Sequence, residues 1–290
     1  MNKKHVGIIC IVISAFFFSL MNVFVRLSGD LPVFQKSVFR NLVAVVVALI
    51  ILLKEKPEVN LDRGDKITLF FRSLFGTAGI LCNYYAVDHL LLADASILGK
   101  LSPFFALIMG VVLLKEKISG FQIGAVAVAF AGAVLVIKPG AGVVSYPALI
   151  GALGGLVAGT AYTLVRKAGM RGIPGPFIVF FFSAFSCITI LPFMIATYTP
   201  MTLSQLVFLL LAGLSAAIAQ FAVTTAYCNA PAREISIFDY SQIIFAAIMG
   251  FIIFGQVPDL WSWAGYMVIF VTAMANFLYN MKKNRAYSLE

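Results

Sequence analysis

The chain has 290 residues, of which 61% are hydrophobic, and its mean hydropathy is +1.00. Soluble domains are only about half apolar, so this composition excludes a soluble protein. The formal charge of +9 would suggest nucleic-acid binding in a soluble chain. Here the basic residues lie mostly between apolar segments, so a membrane protein with no nucleic-acid partner is predicted.

Ten apolar segments are long enough to cross about 30 Å of hydrocarbon as helices. The first one runs on through polar Asn22 and Arg26 without a small-residue cleavage site, so it is predicted to be a helix and not a signal peptide. In chain order the predicted helices are Val6–Leu27, Val33–Leu53, Ile67–Val87, Ala93–Leu114, Phe121–Ile137, Pro147–Val165, Phe177–Tyr198, Leu203–Cys228, Ile235–Gly255 and Leu260–Asn280.

Basic residues are distributed unevenly between the two sides of the membrane that ten helices would create. With both termini in the cytoplasm, 15 of the 21 basic residues lie in inner segments, whereas only Arg26 and Lys138 lie in outer ones. An excess of Lys and Arg on the cytoplasmic side is typical of integral membrane proteins. The distribution predicts two cytoplasmic termini and a bacterial inner (plasma) membrane, with an organelle membrane as the alternative.

The sequence also contains an internal repeat at an offset of 140 residues. It divides the chain into residues 1–140 and 141–290, each with five helices. Because five is odd, the second copy enters the bilayer from the opposite side, as in transporters that work by alternating access. The predicted fold class is an all-α membrane protein with ten transmembrane helices, arranged as two inverted five-helix repeats around a central cavity. The offset aligns Ala86 with Ala226, Gly110 with Gly250 and Glu116 with Gln256.

Small residues recur at four-residue spacing in the fifth and sixth helices, and such stripes let helices approach closely. Static packing is the favoured interpretation, and a sliding surface is the alternative. The stripes are Ala125, Ala129 and Ala133, and Gly151, Gly155 and Gly159.

Three cations, Arg40, Arg72 and Lys100, lie deep within predicted helices. Each costs about 2.5–3.5 kcal/mol at a helix centre on insertion scales, so each must face a partner or a wet cavity. Helical spacing puts Asn83 on the same stripe as Arg72. For the two arginines, the alternative to a binding role is that they contact carboxylates or helix-end carbonyls and lock the bundle.

The second half supplies polar groups at similar depth, namely Gln220 in the eighth helix and Asp239 beside Tyr240 in the ninth. The repeat aligns Tyr240 with Lys100, so a cation approaches the midplane from one half and an anion from the other. A site flanked by both charges would suit a zwitterion.

The sequence also predicts the surroundings of several other charged residues and prolines. Lys36 is expected to extend its ammonium to the membrane interface. Asp88 and Asp94 are expected in a solvated loop, and Pro103 and Pro192 are expected to interrupt the fourth and seventh helices.

The cysteines and histidines of this sequence do not form a recognisable catalytic or metal-binding motif. The four cysteines are scattered singly through apolar helices, and the two histidines, His5 and His89, lie in a tail and a loop. No metal site, cofactor or enzymatic activity is therefore predicted.

A set of short motifs resembles the drug/metabolite transporter superfamily, in particular its EamA-type ten-helix branch, over nearly the whole chain. Gln256 departs from the pattern because that position is usually glutamate in the family, so a gate that needs an acid there is in doubt. The motifs are Phe39-Arg40, Arg72, Tyr85-Ala86, Leu92-Ala93-Asp94-Ala95 before Pro103, Leu114-Lys115-Glu116 before Gly124, Ala226, and Phe254-Gly255-Gln256-Val257-Pro258.

The resemblance implies a basket of ten helices whose cavity is lined by helices one, three, four, six, eight and nine. It also implies a carrier of amino acids, nucleotide conjugates, other metabolites or drugs, often an exporter. The cavity would be approached by Phe18, Asn22, Asn83, Lys100 and Tyr162, with Gln220 and Asp239 opposite.

The predicted function is secondary transport by alternating access, as an exporter or exchanger, of a small polar metabolite such as an amino acid or organic anion. The excess of intramembrane cations favours a carboxylate or phosphate group on this substrate. The alternatives are an exporter of cationic drug-like compounds that uses Asp239 and aromatic rings, and a passive channel. The expected partners are the substrate and the lipid bilayer, with protons as a candidate coupling ion. The predicted substrate-binding residues are Asn22, Arg40, Arg72, Asn83, Lys100, Tyr162, Gln220, Asp239 and Tyr240.

Overall fold

The computed structural model describes residues 3–115, 118–137, 145–230 and 232–287. These ranges contain α-helices joined by short connections, and no strand. The helices are α1 (Lys3–Leu27), α2 (Val33–Glu55), α3 (Arg63–His89), α4 (Leu92–Gly99), α5 (Ser102–Leu114), α6 (Gly120–Ile137), α7 (Tyr146–Met170), α8 (Gly175–Ala196), α9 (Leu203–Asn229), α10 (Ala232–Asp239), α11 (Ser241–Phe254) and α12 (Leu260–Tyr287).

Nine stretches of the described chain are long and apolar enough to cross a membrane, and α4 with α5 forms one of them. The predicted third helix, α3, is not among the nine. It has 27 residues, about 40 Å of helix, but Arg63, Asp65, Lys66 and Arg72 make its first half polar. The ten-helix count therefore stays a prediction.

The predicted fourth and ninth helices are not continuous. The fourth consists of α4 and α5, which are separated at Lys100 and Leu101, and the ninth consists of α10 and α11, which are separated at Tyr240. Pro103 comes after the first break, in the opening turn of α5, where its missing N–H leaves no helical hydrogen bond unmade. Pro192 does not interrupt α8, which runs through it.

The most extensive helix contacts join the two halves of the chain. Helix α1 packs on α9, α3 on α7, α2 on α8, and α6 on α12. In the repeat, α1 corresponds to α7 and α3 corresponds to α9, so the α1–α9 pair corresponds to the α7–α3 pair. The α2–α8 pair and the α6–α12 pair each correspond to themselves. The predicted boundary at residue 140 lies outside the described residues, and the inverted relation of the halves stays a prediction.

The 140-residue offset reappears in local details of the helix ends. Helix α3 begins with a capping box formed by Asp62 and Asp65, and α9 begins with one formed by Thr202 and Gln205. Asp62 and Asp65 also pair with Arg171 after α7, at 2.7 Å for Asp65. The Asp65 backbone N–H, together with Arg171, lowers the pKa of Asp62 below its ordinary value.

Two expectations about charges near the helix ends are wrong. Lys36 does not extend to the interface, since it is 1% exposed and its ammonium lies 2.7 Å from the Asp88 carboxylate. Asp94 is not in a solvated loop but in α4, where it is buried and accepts a 2.7 Å hydrogen bond from the Tyr266 hydroxyl. Both carboxylates therefore connect helices.

The glycine stripe of α7 packs directly against the broken helix. A Cβ atom built on Gly155 would lie 2.8 Å from the Leu98 carbonyl oxygen, and one on Gly159 would lie 2.4 Å from the Ser102 carbonyl oxygen. Both distances are shorter than real contacts of a Cβ atom. The stripe therefore lets α7 approach the backbone of α4 and α5, and through them it supports the break at Lys100.

We expect Gly159→Ala to destabilise the protein by about 1–3 kcal/mol, because the methyl group must displace the α5 backbone. Gly124→Ala is the matched control, since its Cβ would meet no atom within 4 Å. Alanine is also the better helix former, so the control should melt at the same or a higher temperature. Thermal unfolding in detergent measures both, and equal melting temperatures would refute this packing interpretation.

Candidate functional site

A cavity of about 120 Å³ lies at the centre of the helix bundle. Side chains from both halves line it, including α1, α3, the broken helix and α7. Helices α2 and α8 also contribute, although the resemblance did not imply them. Six of the predicted site residues line the cavity, namely Arg40, Arg72, Asn83, Lys100, Tyr162 and Gln220.

Three predicted site residues do not line this cavity, although all three are buried. Asn22 lies one step behind it and accepts a 3.0 Å hydrogen bond from the Asn83 side chain. Asp239 contacts Lys100, and Tyr240 contacts the backbone of the same residue. They can support the cavity wall, but in this conformation they do not face its interior.

Arg72 reaches the cavity from the middle of α3. It is 2% exposed, and its guanidinium carbon lies 3.7 Å from the centroid of the Phe182 ring. Its Nε and Nη1 atoms have no hydrogen-bond partner within the described chain. A Cβ on Gly76 would lie 2.4 Å from Nη1, so a larger residue at this position would clash with the guanidinium.

Arg40 reaches the same region from α2 and is also 2% exposed. It donates to the Asn41 side chain at 2.7 Å and, more weakly, to Gln220 at 3.4 Å. Its guanidinium carbon lies 5.6 Å from the Phe182 ring centroid. No carboxylate of the described residues forms an ion pair with Arg40 or Arg72. The alternative that these arginines lock the bundle by pairing with carboxylates is therefore not supported.

Lys100 and Asp239 form an ion pair at the two helix breaks, with 2.7 Å between ammonium and carboxylate. Their side chains are 9% and 3% exposed. The Tyr240 hydroxyl donates a 2.9 Å hydrogen bond to the Lys100 carbonyl oxygen, which the break has left without a helical partner. The predicted gap between Lys100 and Asp239 for a zwitterion is therefore absent in this conformation.

These contacts determine the charge of the cavity. Three cations line it, and the one described carboxylate beside them, Asp239, is matched by Lys100. The guanidinium groups of Arg40 and Arg72 remain uncompensated. Because a buried unpaired charge is costly in the membrane, this arrangement is suited to an anion that enters the cavity.

The sequence interpretation missed Phe182, whose ring lies against both arginines. It belongs to a phenylalanine-rich stretch of α8, and nothing in that stretch singles out one ring. Ser96 lies four residues before Lys100, on the helix stripe that the spacing predicts to point inward. It lines the cavity, and its buried hydroxyl has no described partner.

Both halves of the chain match one protein family. The EamA-like transporter family matches residues 5–138 and, a second time, residues 146–278. The chain belongs to the EamA-like transporter family. It is therefore an integral membrane transport protein, and its resemblance to the drug/metabolite transporter superfamily is confirmed.

Curated relatives of this EamA-like protein are named as transporters. The pseudopaline exporter CntI of Pseudomonas aeruginosa is 31% identical over 272 residues, which cover 93% of this chain and 95% of that protein. Solute carrier family 35 member G1 of Mus musculus is 27% identical over 92% of this chain and 76% of its own. A riboflavin transporter of Rhizobium johnstonii is 27% identical over 63% and 61%.

A solved crystal structure has the same fold as this EamA-like chain. It superposes with a TM-score of 0.70 and covers 96% of this chain and 98% of its own length. The identity is only 14%, so this similarity concerns the fold alone.

Gln256, which departs from the EamA pattern, has a structural contact in this chain. Its side-chain oxygen accepts a 3.0 Å hydrogen bond from the Leu92 backbone N–H at the start of α4. An amide oxygen can accept this bond as well as a carboxylate can. Joining the end of α11 to α4 therefore does not require an acid at residue 256.

We expect Asp239→Asn to destabilise this EamA-like protein by roughly 3–5 kcal/mol, because it leaves the Lys100 ammonium buried without a counterion. The double variant Lys100→Met/Asp239→Asn removes both charges and should recover part of the loss. Tyr240→Phe keeps the ion pair but removes the hydrogen bond to the Lys100 carbonyl, so it should cost less, about 1–3 kcal/mol. Thermal melts of all three variants test the pair, and a double variant less stable than Asp239→Asn would contradict it.

Proposed function

We propose that this chain is a secondary transporter that exports or exchanges a small polar metabolite with a carboxylate or another anionic group. The carrying observation is the pair of uncompensated arginines, Arg40 and Arg72, in the central cavity. A desolvated guanidinium binds an anion far better than a neutral molecule, because its N–H groups form charge-assisted hydrogen bonds. The bound anion would replace the missing counterion.

We further propose alternating access between two inverted halves, with α3 as the tenth spanning helix. The pairing of α1 with α9 and α3 with α7 supports this proposal, because exchanging the halves exchanges the two pairs. So does the coincidence of both helix breaks at the repeat offset, beside the cavity. Two inverted halves can adopt inward-open and outward-open forms of similar energy around one site.

Two further observations support the proposed transport direction and location. The relative named as a pseudopaline exporter supports export from a bacterial cell. The excess of basic residues on one side supports an inner membrane with both termini in the cytoplasm. Proton coupling belongs to the proposal only as one candidate mode, next to exchange.

The cationic-drug alternative is less favoured, since the Asp239 carboxylate that would recruit a cation already contacts Lys100. Recruitment of an organic cation would have to displace the lysine and bring a positive charge close to Arg40 and Arg72. A passive channel is less favoured because the cavity is small and the helices around it pack across the two halves.

We expect Arg72→Gln to lower anion transport roughly tenfold or more, as a charge-assisted hydrogen bond contributes about 1.5–3 kcal/mol. Counterflow of labelled pyruvate, succinate and glutamate into proteoliposomes measures this loss. Lys66→Gln is the matched control, since it removes the same charge from an exposed position of the same helix. Its transport should equal that of the unmodified protein.

The ligand-free Arg72→Gln protein should melt no lower than the unmodified protein, because an uncompensated buried charge has been removed. Lost transport with retained stability would separate a binding role from a folding defect. The proposal would be overturned if the protein transported cations and if Arg40→Gln and Arg72→Gln did not change that transport. Flux that does not saturate and is not stimulated by exchange would indicate a channel.

A further inference from the structure

Arg40 and Arg72 act on one small region of the cavity. Their guanidinium carbons lie 5.6 Å and 3.7 Å from the centroid of the same ring, that of Phe182. The two groups are therefore no farther apart than the sum of these distances. We propose that this region binds a compact dianion, specifically a short dicarboxylate, with one arginine for each acidic group. This inference rests on the proposed anion transport and states the charge of the substrate.

The charge balance distinguishes a dianion from other anions. Lys100 is matched by Asp239, so two positive charges remain among the described cavity residues. A monocarboxylate would leave one arginine buried without a counterion. A zwitterionic amino acid would also bring its own ammonium to a positive region. A dianion compensates both arginines at once, so it avoids the penalty of a buried unpaired charge.

Free hydrogen-bond donors in this region fit carboxylate groups. Arg72 has two buried donor atoms without a described partner, Nε and Nη1, which lie on different edges of the guanidinium, and Arg40 has one, Nε. The Ser96 hydroxyl adds a further donor without a described partner. A guanidinium edge can donate two parallel hydrogen bonds to one carboxylate, which neither Lys100 nor an amide can do.

The cavity has room for a short dicarboxylate in this conformation. About 120 Å³ accommodates on the order of ten water-sized groups. A four-carbon dicarboxylate has eight non-hydrogen atoms and fits within this space.

The test compares succinate with monomethyl succinate, which has nearly the same shape but one charge fewer. Both are titrated into purified full-length protein in nanodiscs by isothermal calorimetry, at equal ionic strength and at a pH where the acids are ionised. We expect one succinate per protein, bound about tenfold or more tightly than the ester. Arg40→Gln and Arg72→Gln should each reduce this preference to near equality, whereas Lys66→Gln should keep it.

The binding and transport results together separate failure of the dianion proposal from failure of the proposed function. Equal affinity for the two ligands, or two ester molecules bound per protein, would overturn the dianion while anion transport would stand. No binding of either ligand to protein with an intact melting transition would overturn the dicarboxylate proposal, even if pyruvate or glutamate is transported. Loss of transport for every anion, with cations carried instead, would overturn the proposed function itself.

Discussion

A charge inside a bilayer has no water to solvate it, so each buried charged side chain of this protein needs a partner or a wet surface. The described helices meet this requirement in two ways. Lys36 with Asp88 and Lys100 with Asp239 are paired across helices, each at 2.7 Å. Arg40 and Arg72 are not paired with an acid, and they are the ones that share the central cavity. The paired charges therefore join helices of the bundle, and the unpaired charges lie at its central cavity.

The two helix breaks belong to the same constraint. Interrupting a helix frees backbone groups that lipid cannot satisfy, so non-helical backbone at membrane depth must be buried in protein or line a cavity. Here the Lys100 carbonyl receives the Tyr240 hydroxyl, and each break stands beside the other half of the chain. The close approach of α7 at Gly155 and Gly159 encloses the first break. Small residues, broken helices and the ion pair therefore form one connected structural element at the site.

Membership of the EamA-like family explains the architecture but leaves the substrate open, because its relatives carry names as different as pseudopaline exporter and riboflavin transporter. Selectivity must then depend on the side chains of the cavity. In this chain the distinctive group is Phe182 with two arginines, Arg40 and Arg72, close to its ring. An aromatic ring beside two guanidinium groups orients them without neutralising them, which keeps their charge available to a ligand.

The sequence by itself determined the class of protein, the positions of the apolar helices and the stripes of small residues, because these depend on local composition and helical periodicity. It also identified six of the residues that line the cavity, since an arginine or lysine in an apolar helix is conspicuous wherever it points. Only the tertiary structure decided that Lys100 is matched by Asp239 while Arg40 and Arg72 are not, and that Phe182 joins them. The break at Tyr240 was likewise not predicted, since no glycine or proline lies near it, whereas Pro103 did indicate an interruption of the fourth helix close to Lys100. Ion pairing and helix breaking depend on which groups meet across the bundle, and residues 139 positions apart meet through packing that no local pattern encodes.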